Sequence, residues 1–338
     1  MVSRSPLAPA PRGAAAVPAN AAAPRGLARR RRDLGDRLFT TAVTAMAFAL
    51  VGLVVLLLVS LFQDAALAMG RFGLAFIWGS VWNPVTHVFG VLPAVYGTLA
   101  TSCVALLIAV PIGLGAGIFL AEFAPPWLER PLAFLIELLA AIPSVVLGLW
   151  ALFILVPVLR PVEGWLGRHL GFLPLFSGPP IGIGILAASL ILTIMVLPIL
   201  TTIIREVIRA VPENQREAAY ALGATEWEAI AGVVLPYGRS GILGAVTLAL
   251  GRALGETLAV TMVIGNVFKI ELSLFAQATT LASLIASQFR EADSEIYLSA
   301  LIYAGVVLFV ITLVVNVAAR LLVHRLSTAA IGLGKGGG

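Results

Sequence analysis

Two opposite charges in an apolar stretch are the residues of this chain best suited to handling a charged molecule. Arg252 and Glu256 are four residues apart, which on an α-helix is about 40° beyond one full turn, so both are expected on one face. An ion buried in lipid costs between about 3 and more than 10 kcal/mol, so the pair must face a helix bundle, a partner or a water-filled path. Two roles fit. One is a mutual ion pair that holds helices together. The other is an anion site, in which the donor fork of Arg252 attracts a tetrahedral oxyanion and Glu256 limits how firmly it is held.

An acidic, amphipathic segment precedes this pair along the chain. Charged residues between 213 and 228 alternate with apolar ones, a pattern typical of short surface helices. Gly223 lies where a helix would end, and Thr225 with Glu228 three residues later forms a capping box for the next helix. The pattern predicts two short helices that meet at a glycine and fit a groove on another protein. The alternative is a helix lying on the bilayer, but such helices are normally rich in Lys and Arg, whereas this face is net acidic.

The composition predicts that these residues lie in a membrane protein. Of the 338 residues, 60% are hydrophobic and 12% are charged, and the mean hydropathy is +1.02. Soluble domains carry about 25% charged residues. Apolar runs long enough to cross a hydrocarbon core of about 30 Å recur along the chain.

We predict an all-α integral membrane protein with six spans, at roughly 38–62, 92–122, 130–157, 181–208, 241–266 and 297–322. The second span is long for one straight crossing and predicts a tilt or a break near Pro111.

The spans divide the chain into three segments. Residues 1–36, rich in Ala, Pro and Arg, predict a disordered cytoplasmic arm. Residues 37–326 form the transmembrane domain, with the acidic segment in an inner loop at 209–240, and residues 327–338 form a flexible tail. Lys and Arg favour the cytoplasmic side, and most of them share the side of the N-terminus, so both termini are predicted to be cytoplasmic. The exceptions are Arg71, Arg160, Arg168, Lys269 and Arg290 on the opposite side and Arg252 within a span.

The predicted third span carries polar residues of its own. Glu137 lies early in this span, where it either reaches the cytoplasmic interface as a structural carboxylate or meets a cation such as Arg252. The run Ile142-Pro143-Ser144 predicts a kink. Ser144 either satisfies the backbone group that the proline frees or lines a path through the bundle.

Several kinds of chemistry are absent from the sequence. Cys103, His87, His169 and His324 are far apart and show no metal-ligand spacing, so no metal site and no catalytic residue is predicted. The chain lacks the Gly-x-x-x-x-Gly-Lys-Ser/Thr pattern with which P-loops bind nucleotide. We therefore expect no ATP binding by this chain itself, and no cofactor in it.

The acidic inner loop resembles the EAA motif of ABC import permeases. The resemblance rests on Glu217-Ala218-Ala219, Gly223 and Val233-x-Leu235-Pro236, with Val233 in place of the usual Ile. It implies a six-helix, MetI-like ABC importer permease whose loop couples to an ATPase on the cytoplasmic side through Glu217, Ala218, Ala219, Gly223, Leu235 and Pro236.

Two further stretches are similar to the permease family of phosphate ABC importers. They are residues 251–266, in the predicted fifth span, and residues 137–148, in the predicted third. The resemblance implies that Arg252 and Glu256 take part in transport. Thr257, Ser144 and Glu137 are expected along the same path.

The same resemblance implies a set of partners. They are a PstA-type permease subunit that forms a heterodimer with this chain, two copies of an ATP-binding subunit that holds ATP and Mg, and an external phosphate-binding protein, all at a bacterial inner membrane. Other cargoes of the same architecture are molybdate, sulfate and phosphonate. The rivals from another class are a membrane enzyme and an ion channel. An enzyme should show clustered His or carboxylates near one interface, and a channel does not need the coupling loop.

Overall fold

The computed structural model describes the backbone of residues 28–333 and the side chains of residues 35–321. Most of the predicted arm and the last five residues of the predicted tail lie outside the described residues. Helix α1 begins at Ala28 and helix α13 ends at Leu333, so the helices extend into both predicted end segments. Ala and Arg are good helix formers, and no Gly or Pro separates Ala28 from Leu34.

The described chain is almost entirely helical. Three π segments, at Phe119–Phe123, Ala151–Leu155 and Ile230–Val234, and two 3₁₀ turns, at Pro174–Phe176 and Phe289–Glu291, interrupt or join the helices. Strands β1 (Trp82–Asn83) and β2 (Val88–Phe89) pair antiparallel. The helices are α1 (Ala28–Phe72), α2 (Ala75–Trp78), α3 (Leu92–Ile118), α4 (Pro126–Ala141), α5 (Ser144–Trp150), α6 (Val156–Leu170), α7 (Ile185–Arg209), α8 (Glu213–Ala221), α9 (Glu226–Ala229), α10 (Leu235–Gly255), α11 (Leu258–Val263), α12 (Leu281–Gln288) and α13 (Glu295–Leu333).

The prediction of six membrane-spanning helices is confirmed. Within the described residues, six helical stretches are long and apolar enough to cross a membrane: Gly35–Phe72, Leu92–Phe123, Ser144–Leu170, Ile185–Arg209, Glu226–Gly255 and Glu295–Leu321. The second, fourth and sixth agree with the predicted spans to within a few residues. Helix α3 continues through Pro111 without a break and widens into a π turn only at Phe119–Phe123.

The predicted third span is wrong in its bounds. Ile142 is extended, with φ −68° and ψ 127°, and it separates α4 from α5, so the region contains two helices rather than one kinked helix. Pro143 is the reason, because a proline disfavours helical geometry in the residue before it. The stretch that can span a membrane starts at Ser144 and runs to Leu170. Much of the segment 158–180, which the predicted spans leave between the third and the fourth, is therefore helical, because α6 runs to Leu170.

The predicted fifth span begins too late and ends too late. Helix α9, the π segment and α10 form one stretch from Glu226 to Gly255. Pro236 lies in the first turn of α10 directly after the π segment, where the usual hydrogen-bond pattern is already shifted, so its missing N–H does not end the helix. The inner loop thus shrinks to α8 and the turn around Gly223.

The chain divides at Val59 into two units. The first contains the N-terminal part of α1, whose described side chains are almost all exposed. The second contains all other helices and three apolar clusters. Helices α3 and α7 pack closely inside this unit, because an added Cβ at Gly113 would lie 2.9 Å from Leu200 Cβ and one at Gly117 would lie 2.6 Å from Ile204 Cγ2. Small residues of this kind let membrane helices approach.

Candidate functional site

Helices α4, α7, α10 and α13 surround a large cavity in the second unit. Its volume is about 1390 Å³, and most of its lining is apolar. A mostly apolar cavity with a few convergent polar groups is the usual form of a small-ligand site. The polar residues that line it are Glu137, Thr202, Thr247, Arg252, Asn316 and Arg320.

Arg252 is placed in this cavity by the last turn of α10. The side chain is exposed, and among the described side chains it makes no ion pair. Helix α13 lies close to α10 at Gly251, the residue before Arg252. An added Cβ at Gly251 would lie 3.6 Å from Asn316 Nδ2. Because Gly251 has no side chain, Asn316 of α13 can lie close to α10, beside Arg252.

Glu137 lines the same cavity, although it lies on α4 rather than in a span. The structure therefore brings together two of the five predicted pathway residues, Glu137 and Arg252. Within the described part of the chain, Glu137 makes no ion pair with either arginine of the cavity. Two guanidinium groups against one carboxylate leave the ionisable lining with a net positive charge, which favours an anion.

The prediction that Arg252 and Glu256 lie on one face of a helix is wrong. Glu256 follows the last residue of α10 and is extended, with φ −70° and ψ 129°, so the helical spacing does not reach it. Its carboxylate instead accepts a hydrogen bond from the backbone N–H of Ala259, at 3.4 Å. Glu256 therefore lies at the N-terminal end of α11, and no ion pair joins it to Arg252 in the described structure.

Thr257 and Ser144 also lie outside the lining of this cavity. Thr257 precedes α11, and its hydroxyl donates to the carbonyl of Gly255 at 3.2 Å. Ser144 is the first residue of α5. These two helices cross closely, because an added Cβ at Gly148 would lie 2.9 Å from Ala259 Cα. The predicted residues thus form two groups, one in the cavity and one around the starts of α5 and α11.

Both groups adjoin interrupted helices. One break separates α4 from α5 at Ile142, and the other separates α10 from α11 at Glu256. Broken helices at membrane depth are tolerated where protein or a water-filled cavity satisfies the backbone, and in transporters they commonly form the substrate site. Their position beside the charged cavity supports a transport path here.

Sequence reasoning missed four polar lining residues. Arg320 was treated only as a determinant of orientation, and Asn316, Thr202 and Thr247 were not considered. One signal was available for the first two: Asn316 and Arg320 are four residues apart in the last span, and polar residues within spans usually face the bundle or a cavity.

The coupling segment has the predicted local structure. Helix α8 ends before Gly223, which has φ +86°, and such a left-handed geometry favours glycine. Thr225 and Glu228 form the predicted capping box, since the Glu228 N–H donates to Thr225 Oγ1 at 3.4 Å and the Thr225 N–H donates to Glu228 Oε2 at 2.8 Å. The prediction of two short helices meeting at a glycine is confirmed, although the second continues into α10.

The exposed part of this segment forms a surface that mixes apolar and acidic groups. Leu222 is 91% exposed and Trp227 is 60% exposed. Leu235 is half-buried and Pro236 is exposed at the start of α10. Ala219 is buried and holds α8 in place. We call the exposed residues the coupling surface: Glu217, Ala218, Tyr220, Leu222, Gly223 and Trp227.

Arginines tie α8 and α7 to the end of α3 and the start of α4. Arg216 pairs with Glu122 at 2.8 Å and donates to the carbonyl of Ile208 at 2.8 Å. Glu129 accepts ion pairs from Arg209 at 3.1 Å and Arg205 at 3.4 Å. The coupling surface is thus attached to the helices that continue into the membrane core.

The sequence matches a known family over most of this helical unit. Residues 113–328 fit the model of the family described as binding-protein-dependent transport system inner membrane component. The chain belongs to this family. As a member with six candidate spans, it is a multi-pass inner membrane protein of the ABC importer permease type.

Curated relatives cover nearly the whole chain of this permease. A protein of Xylella fastidiosa named phosphate transport system permease protein PstC is 47% identical over 90% of this chain and 94% of its own length. One of the same name from Mesorhizobium japonicum is 46% identical over 88% of this chain and 92% of its own. A probable PstC of Methanocaldococcus jannaschii is 41% identical over 78% and 86% respectively.

Solved structures show that the fold of this permease is that of ABC importers. An inward-facing methionine ABC transporter, MetNI, aligns with TM-score 0.53 at 22% identity, covering 70% of this chain and 95% of that one. A bacterial ABC transporter that imports alginate aligns with TM-score 0.53 at 19% identity, covering 86% and 98%. At these identities the likeness concerns the fold alone.

Proposed function

We propose that this chain is the transmembrane permease subunit of an ATP-driven ABC importer of inorganic phosphate. The observation that carries the proposal is the cavity in which Arg252 and Arg320 outnumber the single carboxylate Glu137. A guanidinium offers a planar set of donors that matches the oxygens of an oxyanion. The relatives named as phosphate permeases supply the choice of phosphate among oxyanions.

The anion path runs through the cavity and past the two helix breaks. Arg252 attracts the anion, and Glu137 weakens the hold so that the anion can leave again. Glu256, Thr257 and Ser144 lie at the starts of α11 and α5, where helix N-termini favour negative charge. We assign these three residues to the part of the path beside the two helix breaks.

The coupling surface receives the movement of the ATPase. When the ATP-binding subunits close, they draw the coupling surfaces of two permease subunits together, and the helices change between inward and outward access. The ion pairs Arg216–Glu122 and Arg209–Glu129 carry this displacement from α8 and α7 to α3 and α4. The distribution of Lys and Arg supports a cytoplasmic position for both termini and for this surface.

The remaining parts of the machine are partner proteins. A PstA-type permease subunit completes the translocation path, two copies of an ATP-binding subunit hold ATP and Mg and hydrolyse the nucleotide, and an external binding protein delivers phosphate. This chain contributes transport and no catalysis, in keeping with relatives that are permease subunits.

Reconstitution with these partners tests the proposal. In proteoliposomes, ATP-dependent uptake of labelled phosphate is expected, with sulfate and molybdate competing only weakly. Efficient competition by either anion, or by a phosphonate, would change the assigned cargo. Uptake that continues without ATP or without the ATP-binding subunit would support a channel and would contradict the proposal.

A further inference from the structure

Arg320 and Asn316 occupy the same cavity as Arg252 without belonging to any motif of the sequence. We propose that they form a second oxyanion-binding step, one helical turn from the step at Arg252, and that a transported anion passes from one step to the other. The inference rests on the proposed function, because it takes this cavity as the anion path. The ligand class is a small tetrahedral oxyanion.

The packing of α10 against α13 sets the spacing of the two steps. An added Cβ at Gly251 would lie 3.6 Å from Asn316 Nδ2, so Asn316 lies at the level of the last turn of α10, beside Arg252. Arg320 is four residues farther along α13, which is a rise of about 6 Å on nearly the same face of the helix. All three side chains line one cavity.

The chemistry of the three residues suits transfer rather than tight binding. Each guanidinium offers several N–H donors, and the Asn316 amide offers two more without adding charge. Among the side chains of residues 35–321, neither Arg252 nor Arg320 makes an ion pair. An anion bound at Arg252 is therefore also attracted by Arg320, about one helical turn away. This attraction lowers the free-energy barrier for the anion to leave Arg252.

The direction of the transfer follows from the proposed orientation. With both termini in the cytoplasm, α13 runs inward, so Arg320 lies on the cytoplasmic side of Asn316. Arg320 is then the last cation that an imported anion meets in the cavity. Glu137, which also lines the cavity, opposes tight binding there through its negative charge.

Three variants of the reconstituted complex test the second step, with initial rates of labelled phosphate uptake as the readout. Arg320→Gln is expected to lower the rate about tenfold or more, since the charged hydrogen bond to the anion is lost. Arg320→Lys should recover part of the loss, because a point charge attracts the anion without the planar fork. Asn316→Asp keeps the shape but puts a negative charge between the steps, so it should lower the rate at least as strongly.

The matched control is Arg130→Gln. Arg130 is exposed on α4 and does not line the cavity, and this variant should keep uptake within about twofold of the unchanged complex. Uptake at the unchanged rate in both Arg320→Gln and Asn316→Asp would overturn the second step. If Arg320→Gln fails to co-purify with its partners, the comparison of Asn316→Asp with Asn316→Leu decides, because only a step that holds an anion makes the charged variant worse.

The same experiment separates this inference from the proposed function. A complex that imports sulfate or molybdate but not phosphate refutes the proposed cargo, and the variants are then measured with the anion that is transported. Loss of that uptake in Arg320→Gln and Asn316→Asp still supports the second step. A complex that imports no oxyanion refutes both.

Discussion

At the residue scale, the arginines of this protein differ in whether a carboxylate neutralises them. Arg205, Arg209 and Arg216 all form ion pairs with glutamates at the ends of helices. Arg252 and Arg320 line a cavity and, among the described side chains, pair with none. Both side chains are exposed in the cavity, so their guanidinium groups are open to a mobile anion, as the proposed function requires.

Arg252 is expected to be needed for transport and dispensable for folding. Arg252→Gln removes the charge and should lower phosphate uptake about 10- to 100-fold, which corresponds to the loss of a charged hydrogen bond. Co-purification with the partner subunits should be unchanged, because Arg252 makes no ion pair with the described chain. Normal uptake by this variant would assign Arg252 a structural role.

Gly223 is expected to be needed for coupling because of its backbone geometry. At φ +86° a side chain strains the backbone by about 1–2 kcal/mol, and a β-branched one by more. Gly223→Val should therefore weaken co-purification with the ATP-binding subunit and lower uptake, with Gly223→Ala milder. The matched control is Gly232→Ala, since Gly232 has nothing within 4 Å of an added Cβ and lies in a π segment. Equal effects of Gly223→Val and Gly232→Ala would contradict this account.

At the element scale, the sequence predicted which helices exist better than where they break. Hydropathy identified six spans, and the Gly223 turn followed from local chemistry that needs no tertiary contact. The break at Glu256 was missed because no proline or capping pattern marks it, and helical spacing then wrongly joined Glu256 to Arg252. Arg320 was missed because its cavity is formed by four helices far apart in sequence, which periodicity along one helix cannot reveal.

The attachment of α8 is expected to depend on the pair Arg216–Glu122. Both side chains are largely shielded, at 22% and 14% exposure, so the pair should be worth about 1 kcal/mol or somewhat more. A double-mutant cycle with Arg216→Gln and Glu122→Gln, measured by unfolding of the purified complex, should show this coupling energy. Both single variants should also reduce uptake per ATP hydrolysed. Strictly additive effects on stability would show that the pair does not connect the two elements.

At the scale of the whole molecule, the coupling surface and the charged cavity belong to one helical unit. The stretch from Glu226 to Gly255 begins beside the coupling surface and ends at the turn that carries Arg252. At about 1.5 Å per residue, it is roughly 45 Å long. If an ATPase docks on the coupling surface, as proposed, a tilt that it imposes at one end of this stretch would move Arg252 at the other end.

Coupling to an ATPase requires the coupling surface to be cytoplasmic, and cysteine labelling tests that orientation. Cys103 is the chain's single cysteine, so Cys103→Ala gives a background without reactive thiols. In this background, Thr86→Cys lies in an exposed turn after the first span and Asn214→Cys lies in the exposed first turn of α8.

A membrane-impermeant maleimide applied to intact cells or spheroplasts should label Thr86→Cys at once. It should label Asn214→Cys only after detergent treatment, because the excess of Lys and Arg keeps that loop inside. The reverse pattern would place α8 and α9 on the outer side, away from any ATPase, and the coupling mechanism would then be wrong even if the anion cavity were correct.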